Sequence, residues 1–373
     1  MKVMERAETP KHRQVYRSLE REIRDGRFKE GDRLPSEADL VRQFGASRIT
    51  VGRAVRDLQR AGLVERRAGS GTYVRTRPPA TAALSFGLLI PDLGETEIFE
   101  PICQGMMASP LAREHALVWG SQKGDAGSKE ERAWDLCRQY IDRRVSGVFF
   151  APLELTPAKD EVNLRIARAL DEAHIPVVLL DRTVVPYPQR GHHDLVGIDN
   201  RRAGYLVTEH VLRLGARRIA FVGVANAAAT VDARASGYRE ALAAWEVGFD
   251  RELVRRMDPT DAEAVRGLMD SAHPDAIVCA NDWTAARVMH TLLALGHAVP
   301  GDVRLVGIDD VEYAPLLPVP LTTLRQPTRQ IGAAALAAML DRVAGADLPT
   351  RDILLHGTLV VRRSCGAPEA QRG

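Results

Sequence analysis

From Leu84 onward the chain alternates between short continuous apolar runs and stretches with helical spacing. The apolar runs fall at 85–90, 116–119, 147–150, 177–180, 219–224, 253–257, 276–280 and 304–308. Helical spacing recurs between them at 102–113, 129–143, 163–173, 201–214, 234–245, 261–271 and 283–295. A strand that is apolar on both faces has to be covered on both faces, so this alternation predicts parallel sheets sandwiched by helices. About 290 residues is more than one such sheet and one core hold, which predicts two lobes.

Open sheets of this kind bind ligands outside the carboxyl ends of their strands. Polar residues stand at those positions repeatedly: Asp92, Asp181-Arg182, Asn281-Asp282 and Asp309-Asp310. Gln326 follows an extended 321–325 segment, and Arg234 is expected to begin the helix after 219–224. Each one alone reads equally well as a helix cap. As a converging set, carboxylates, guanidinium forks and amides suit a ligand rich in hydroxyl groups.

The first part of the chain has a different texture. Residues 1–77 carry 19 Lys and Arg against 11 Asp and Glu, a balance of +8 that leaves −6 for the rest of a chain whose net charge is +2. A small cationic head on an acidic body points to a polyanion met by the head alone. Within it, Ser36 and Asp39 have capping-box spacing, Gly45 suits a helix stop, and Ser47 suits the cap of the next helix. That second helix is expected to turn Arg48, Ile49, Gly52, Arg53 and Arg56 outward, with Val51, Val55 and Leu58 facing a core. A helix over 12–24 precedes this pair, and strands at 63–67 and 72–74 around Ala68-Gly-Ser-Gly71 form a hairpin wing. The arrangement is that of a helix-turn-helix presenting its second helix to a DNA major groove.

The motifs Gly31-Asp-Arg-Leu-Pro-Ser-Glu37, Ser47-Arg-Ile-Thr-Val51, Gly62-Leu-Val64 and Gly69-Ser-Gly-Thr-Tyr-Val74 resemble the winged helix-turn-helix of GntR-type regulators. The resemblance implies DNA contacts from Ser36, Ser47, Arg48, Thr50 and Gly69. Gly52 and Ala38 stand where relatives carry Arg, leaving Arg53 or Arg56 to supply phosphate contacts. The body is similar to LacI/GalR regulators and their periplasmic sugar-binding relatives. This likeness rests on Gly87-Leu-Leu-Ile-Pro-Asp92, Ile175-Pro-Val-Val-Leu-Leu-Asp-Arg182, Pro274-Asp-Ala-Ile-Val-Cys-Ala-Asn-Asp282 and Val299-Pro-Gly-Asp-Val-Arg-Leu-Val-Gly-Ile-Asp-Asp310. It implies two Rossmann-like lobes of the type I periplasmic-binding-protein fold, joined by three crossings, with a sugar or purine between them. Ligand contacts carried over are Phe99 (stacking), Asp181, Arg182, Arg234, Asn281, Asp309 and Gln326. GntR-type head and LacI-type body together resemble the arabinose-repressor class.

The expected layout is an α+β winged helix-turn-helix over residues 1–75, a proline-containing linker over 76–83, and a two-lobed α/β effector-binding and dimerisation domain over 84–373. The expected activity is repression, with release from double-stranded operator DNA by a pentose-like sugar. A purine co-repressor and a sugar-binding protein without operator control are the alternatives. The expected oligomer is a homodimer. Enzyme bodies that attach a cofactor through a lysine are excluded, because no Lys follows Lys159, and no nucleophile elbow, phosphate loop or HExxH is present. The four cysteines are scattered without metal-ligand spacing, and no signal-peptide core or apolar run long enough to span a bilayer occurs. A cytoplasmic protein without membrane contact or cofactor is expected. His192-His193-Asp194, flanked by Pro and Gly, is read as a solvated loop rather than a metal site.

Overall fold

The computed structural model describes residues 11–371 except 25, 30, 61–62, 68–69, 75–82, 92–96, 121–126 and 346–347. The expected linker therefore lies almost wholly outside the described residues, as do Gly69 and Asp92. The chain divides into two compact units, Met1–Ala83 and Leu84–Gly373.

In the first unit, α1 (Lys11–Arg24), α2 (Glu37–Phe44) and α3 (Arg48–Arg60) pack around Leu19, Leu40, Val51, Ala54 and Leu58, all essentially inaccessible. The capping box at the start of α2 forms as expected: Asp39 N–H donates to Ser36 Oγ and Ser36 N–H donates back to the Asp39 carboxylate, both at 3.2 Å. Gly45 ends α2 at φ 55°, left-handed backbone in which a side chain is strained. Strands β1 (Val64–Arg67) and β2 (Gly71–Val74) form the antiparallel wing, with Val64 opposite Val74 and Arg67 opposite Gly71. Leu34 N–H donates to Thr72 O and Val74 N–H to Asp32 O, both at 2.8 Å, so the segment entering α2 is itself hydrogen-bonded to the wing.

In the second unit the chain first builds one lobe: β3 (Ser85–Leu89), α4 (Phe99–Ala108), β4 (Ala116–Trp119), α5 (Lys129–Asp142), β5 (Gly147–Phe150), α6 (Lys159–Glu172), β6 (Val177–Leu180) and β7 (Asp194–Ile198). It crosses into the other through α7 (Asn200–Arg213), β8 (Ile219–Gly223), α8 (Ala229–Ala244), β9 (Val254–Arg256), α9 (Ala262–Ala272), β10 (Ala276–Cys279), α10 (Asp282–Ala294), β11 (Arg304–Asp309) and β12 (Thr322–Arg325). It returns through α11 (Thr328–Val343) to β13 (Asp352–Leu355), then crosses a last time to β14 (Thr358–Val360). Strand order is β13-β7-β6-β5-β3-β4 in one sheet and β14-β12-β11-β10-β8-β9 in the other, parallel throughout except for β14. The two lobes and three crossings thus match the expectation.

Several elements differ from the sequence reading. Helix α8 begins at Ala229, so Arg234 stands inside it rather than at its start, with its charged group still buried. Helix α4 begins at Phe99 and ends at Ala108, where Ser109 and Pro110 open a short 3-10 turn. Strands β7, β13 and β14 and helix α11 were not among the expected elements. Strand β7 opens on the charged Asp194 and β13 on the charged Asp352, and β13 alternates between exposed and half-buried positions.

The α7–α8 pair sits at backbone contact. A methyl group at Gly237 would lie 1.8 Å from Arg201 O, and one at Gly204 2.0 Å from Arg234 O. Gly237→Ala is expected to destabilise the body by about 1–3 kcal/mol through overpacking. Gly248→Ala, where a methyl meets nothing within 4 Å, serves as the control. Urea denaturation midpoints of the two variants measure the difference, and equal midpoints would contradict this packing.

Candidate functional site

The recognition surface of the first unit follows from its caps. Ser47 Oγ accepts the Thr50 N–H at 3.2 Å and lies 2.8 Å from Thr50 Oγ1, so both hydroxyls present at the start of α3. Arg48 and Arg53 are exposed, and Ile49 is 82% exposed, unusual for so apolar a side chain. Arg48 lines a groove of about 230 Å³ with Arg33, Ser36, Ala38, Arg66 and Thr72. The segment entering α2, helix α3 and the wing thus gather three guanidinium groups, Arg33, Arg48 and Arg66, beside the Ser36 cap. Gly52 is not outward-facing as expected: it is buried, and a methyl there would lie 3.8 Å from Arg56 Nη1. Arg56 therefore reaches back over the Gly52 position.

In the body, the strand-end residues converge. Arg234 is 4% exposed, and its Nε donates to Asn200 Oδ1 at 2.8 Å and its Nη1 to Ala280 O at 2.6 Å. Its Nη2 lies 3.5 Å from Asp309 Oδ1, which also accepts Gln326 Nε2 at 2.7 Å. Burial pushes the Asp309 carboxyl well above the ordinary carboxylate range; Arg234 opposes that shift and the neighbouring Asp282 charge adds to it. Asp282 is raised by burial as well, although it accepts Thr323 Oγ1 at 2.6 Å and the N–H groups of Asp310 and Val311 at 2.8 and 3.2 Å.

On the opposite lobe, Arg182 (4% exposed) pairs with Glu154 at 2.7 Å and with Asp181 at 3.4 Å. Burial pushes the Glu154 carboxyl up, but the Arg182 charge and a hydrogen bond from Ala228 N–H more than reverse it. Ala228 belongs to the other lobe, and Leu155 N–H likewise donates to Asn226 O at 2.8 Å, so loop 151–158 meets loop 224–228 across the cleft. A cavity of about 660 Å³ opens between the lobes, lined by Glu97, Gln104, Asp309, Tyr313, Gln326 and Arg329 among others. Two buried acceptors, Asp181 Oδ1 and Gln326 Oε1, have no hydrogen-bond partner among the described residues.

Of the seven expected ligand residues, Asp309 and Gln326 line this cavity, and Arg234 holds Asp309 from behind. Asn281 Oδ1 accepts Thr284 N–H at 2.9 Å, which makes it the cap of α10. Phe99 is 1% exposed, packed in the core with the Arg182 guanidinium 5.3 Å above its ring, so its face is covered by protein. Glu154 and Asn200 belong to the site without having been expected. Glu154 follows an apolar run in the same way as the other strand-end residues, but three residues further on; Asn200 follows Asp199, whose capping role masks it.

In the His192-His193-Asp194 segment, expected to be a solvated loop, only His192 is solvated, at 73% exposure. His193 is 5% and Asp194 1% exposed. Asp194 accepts charged hydrogen bonds from Arg342 and Arg351, both at 2.6–2.7 Å at their shortest. Burial works against these bonds, yet they hold its carboxyl down at about 2. All four cysteines are buried.

A winged helix-turn-helix ahead of a two-lobed body with a polar cleft defines a class of bacterial DNA-binding transcriptional regulators. Residues 11–74 match the model of bacterial regulatory proteins of the gntR family, and residues 208–365 match a periplasmic binding protein-like domain. The chain is 31% identical to the HTH-type transcriptional regulator CelR of Thermobifida fusca over 328 residues, covering 86% of this chain and 89% of that one. It is 26% identical to the arabinose metabolism transcriptional repressor of Geobacillus stearothermophilus over 365 residues, covering 95% and 97%. Among solved structures it resembles a transcriptional regulator CelR–cellobiose complex, with a TM-score of 0.64, 28% identity and coverage of 85% and 90%. The chain belongs to this family of HTH-type transcriptional regulators, with a gntR-type head on a periplasmic-binding-protein-like body. The relatives are regulators rather than enzymes. Among the described residues, no helix is long and apolar enough to cross a membrane.

The buried Arg234 guanidinium is held by Asn200 Oδ1 and Ala280 O, which makes these partners structural. Arg234→Ala is expected to lower body stability by on the order of 2 kcal/mol, the cost of leaving Asn200 Oδ1 and Ala280 O buried and unpaired. Asp309, already inclined to hold a proton, would go neutral and limit the loss. Thermal unfolding of the variant at neutral pH checks this; an unchanged midpoint would mean that Arg234 serves ligand alone.

Proposed function

We propose that this protein is a homodimeric, cytoplasmic repressor that is released from operator DNA when a small sugar, with a pentose as first candidate, binds between the lobes. The observation that carries the reading is the pair of buried acceptors, Asp181 Oδ1 and Gln326 Oε1, at the carboxyl ends of the body's strands. Buried polar atoms demand partners. Acceptors without donors call for a ligand made of hydroxyl groups, and the carboxylates of Glu97 and Asp309 on the cavity wall extend the same chemistry. The covered ring of Phe99 offers no open aromatic face to a flat base, which weighs against a purine. The arabinose-related name of one relative and the cellobiose in the CelR complex support the sugar class. At about 660 Å³ the cavity has room beyond a pentose, so disaccharides belong in the test.

In this reading two heads grip the half-sites of a palindromic operator. Sugar between the lobes, beside the contact of loops 151–158 and 224–228, favours a body arrangement that no longer holds the heads in register. Its leverage equals its differential affinity for the two states, commonly ~1–3 kcal/mol, and operator must weaken sugar binding by the same factor.

A thermal-shift screen of pentoses, hexoses, disaccharides and purines is expected to give a raised midpoint with one sugar. That sugar is expected to lower operator affinity roughly tenfold or more in fluorescence anisotropy. No shift with any sugar, or a hit that tightens operator binding, would sink the inducer reading. For the head, Arg48→Ala is expected to weaken operator binding by about 1–3 kcal/mol at one base position. A uniform loss across all operator variants, with a salt slope smaller by about 1, would assign Arg48 to phosphate instead.

A further inference from the structure

Away from the cleft, one group of metal-ligand side chains converges among the described residues. Asp171 lies one residue before the end of α6, and His192 and His193 lie in the segment leading into β7. His192 Nε2 is 2.8 Å from Asp171 Oδ2 and His193 Nε2 is 2.9 Å from Asp171 Oδ1. The ligand atoms of all three residues fall within 4.8 Å of one another. The two imidazole rings lie 4.1 Å apart, tilted by 40°. Neighbouring residues in extended backbone point to opposite sides; here consecutive histidines turn toward the same carboxylate.

The surroundings fit an ion-binding role. His193 is 5% exposed and packed in place, Asp171 is 36% exposed, and His192 is 73% exposed and free to adjust. Burial lowers the His193 pKa against the pull of Asp171. Asp194, the carboxylate next in sequence, is withdrawn from the group by Arg342 and Arg351. An open pocket of about 300 Å³ adjoins the three side chains, bordered also by His174 and Arg342. It shares no lining residue with the interlobe cavity.

Two imidazole nitrogens and one carboxylate oxygen form a donor set for borderline first-row cations, poorly matched to Mg²⁺ or Ca²⁺, which seek all-oxygen shells. An ion held at about 2.0–2.1 Å in tetrahedral geometry needs its ligand atoms about 3.3 Å apart. The present Nε2–oxygen separations of 2.8 and 2.9 Å would open by about half an ångström, the first by rotation of the exposed His192 ring and the second by turning of the half-buried Asp171 carboxylate. We propose that Asp171, His192 and His193 form an exchangeable site for a Zn²⁺-class divalent cation, with the fourth coordination position open to the adjoining pocket. The bound ion bridges the end of α6 to the segment before β7. Binding to the folded form alone raises the unfolding temperature in proportion to occupancy.

The test uses untagged full-length protein stripped with chelator, titrated with Zn²⁺ by calorimetry and with Co²⁺ as an absorbing probe. One tight Zn²⁺ equivalent per chain, visible Co²⁺ absorption of the four-coordinate kind and a raised unfolding temperature are expected. His192→Ala, at the exposed ligand, and Asp171→Asn are each expected to weaken Zn²⁺ binding at least tenfold and to abolish the Co²⁺ band. Their metal-free unfolding temperatures should stay close to that of the parent protein, so loss of binding is not loss of fold. Absence of a Zn²⁺ equivalent in the parent protein would overturn the proposal. Undiminished binding by both variants would overturn it too, because the ion would then sit on other residues. Preference for Mg²⁺ or Ca²⁺ over Zn²⁺ would do the same.

Discussion

The buried guanidinium of Arg234 is the constraint around which the cleft side of the second lobe is arranged. A guanidinium stays charged at any physiological pH, so placing it at 4% exposure obliges the fold to surround it with acceptors. Those acceptors come from three places: Asn200 at the start of α7, Ala280 O at the end of β10, and Asp309 at the end of β11. Meeting the demands of one side chain on α8 therefore fixes three chain segments relative to one another. Gln326, donating to the same Asp309 oxygen, extends the arrangement to the crossing that leads into α11. Asp282 acts one layer back, where its carboxylate anchors the turn after β11 by taking the Asp310 and Val311 N–H groups. The cleft wall is what remains when these charges have been satisfied.

The same economy explains which residues sequence could reveal. Continuous apolar runs such as 147–150 and 177–180 are buried on both faces, and burial of that kind leaves an unmistakable local pattern. Polar residues directly behind such runs were legible as site candidates for the same reason. Elements without local contrast escaped. Helix α11 is rich in Ala and packs residues on much of its circumference, so its faces differ little in composition. Strand β7 begins with Asp194, a charged residue made tolerable by two arginines more than 140 positions away in sequence. No local reading supplies those partners.

The departures within the site have the same origin. Phe99, a stacking residue by resemblance, lies on α4 within the core under Arg182. Asn281 was weighed between ligand and cap, and the geometry spends its oxygen on Thr284 N–H. Glu154 became visible only when the cleft brought its loop against Ala228 of the other lobe. In the head, by contrast, nearly everything was legible, because caps, turn glycine and core spacing act over three or four residues. The exception is Gly52, where Arg56 folds back along its own helix.

Asp194 also links two features that sequence kept apart. It follows His193 directly, and its two arginines belong to α11 and to the segment entering β13. Strand β7, helix α11 and strand β13 are the parts of the first lobe that adjoin the three crossings. With its carboxyl held at about 2, Asp194 stays ionised throughout the neutral range, so this clamp does not loosen with ordinary changes of pH.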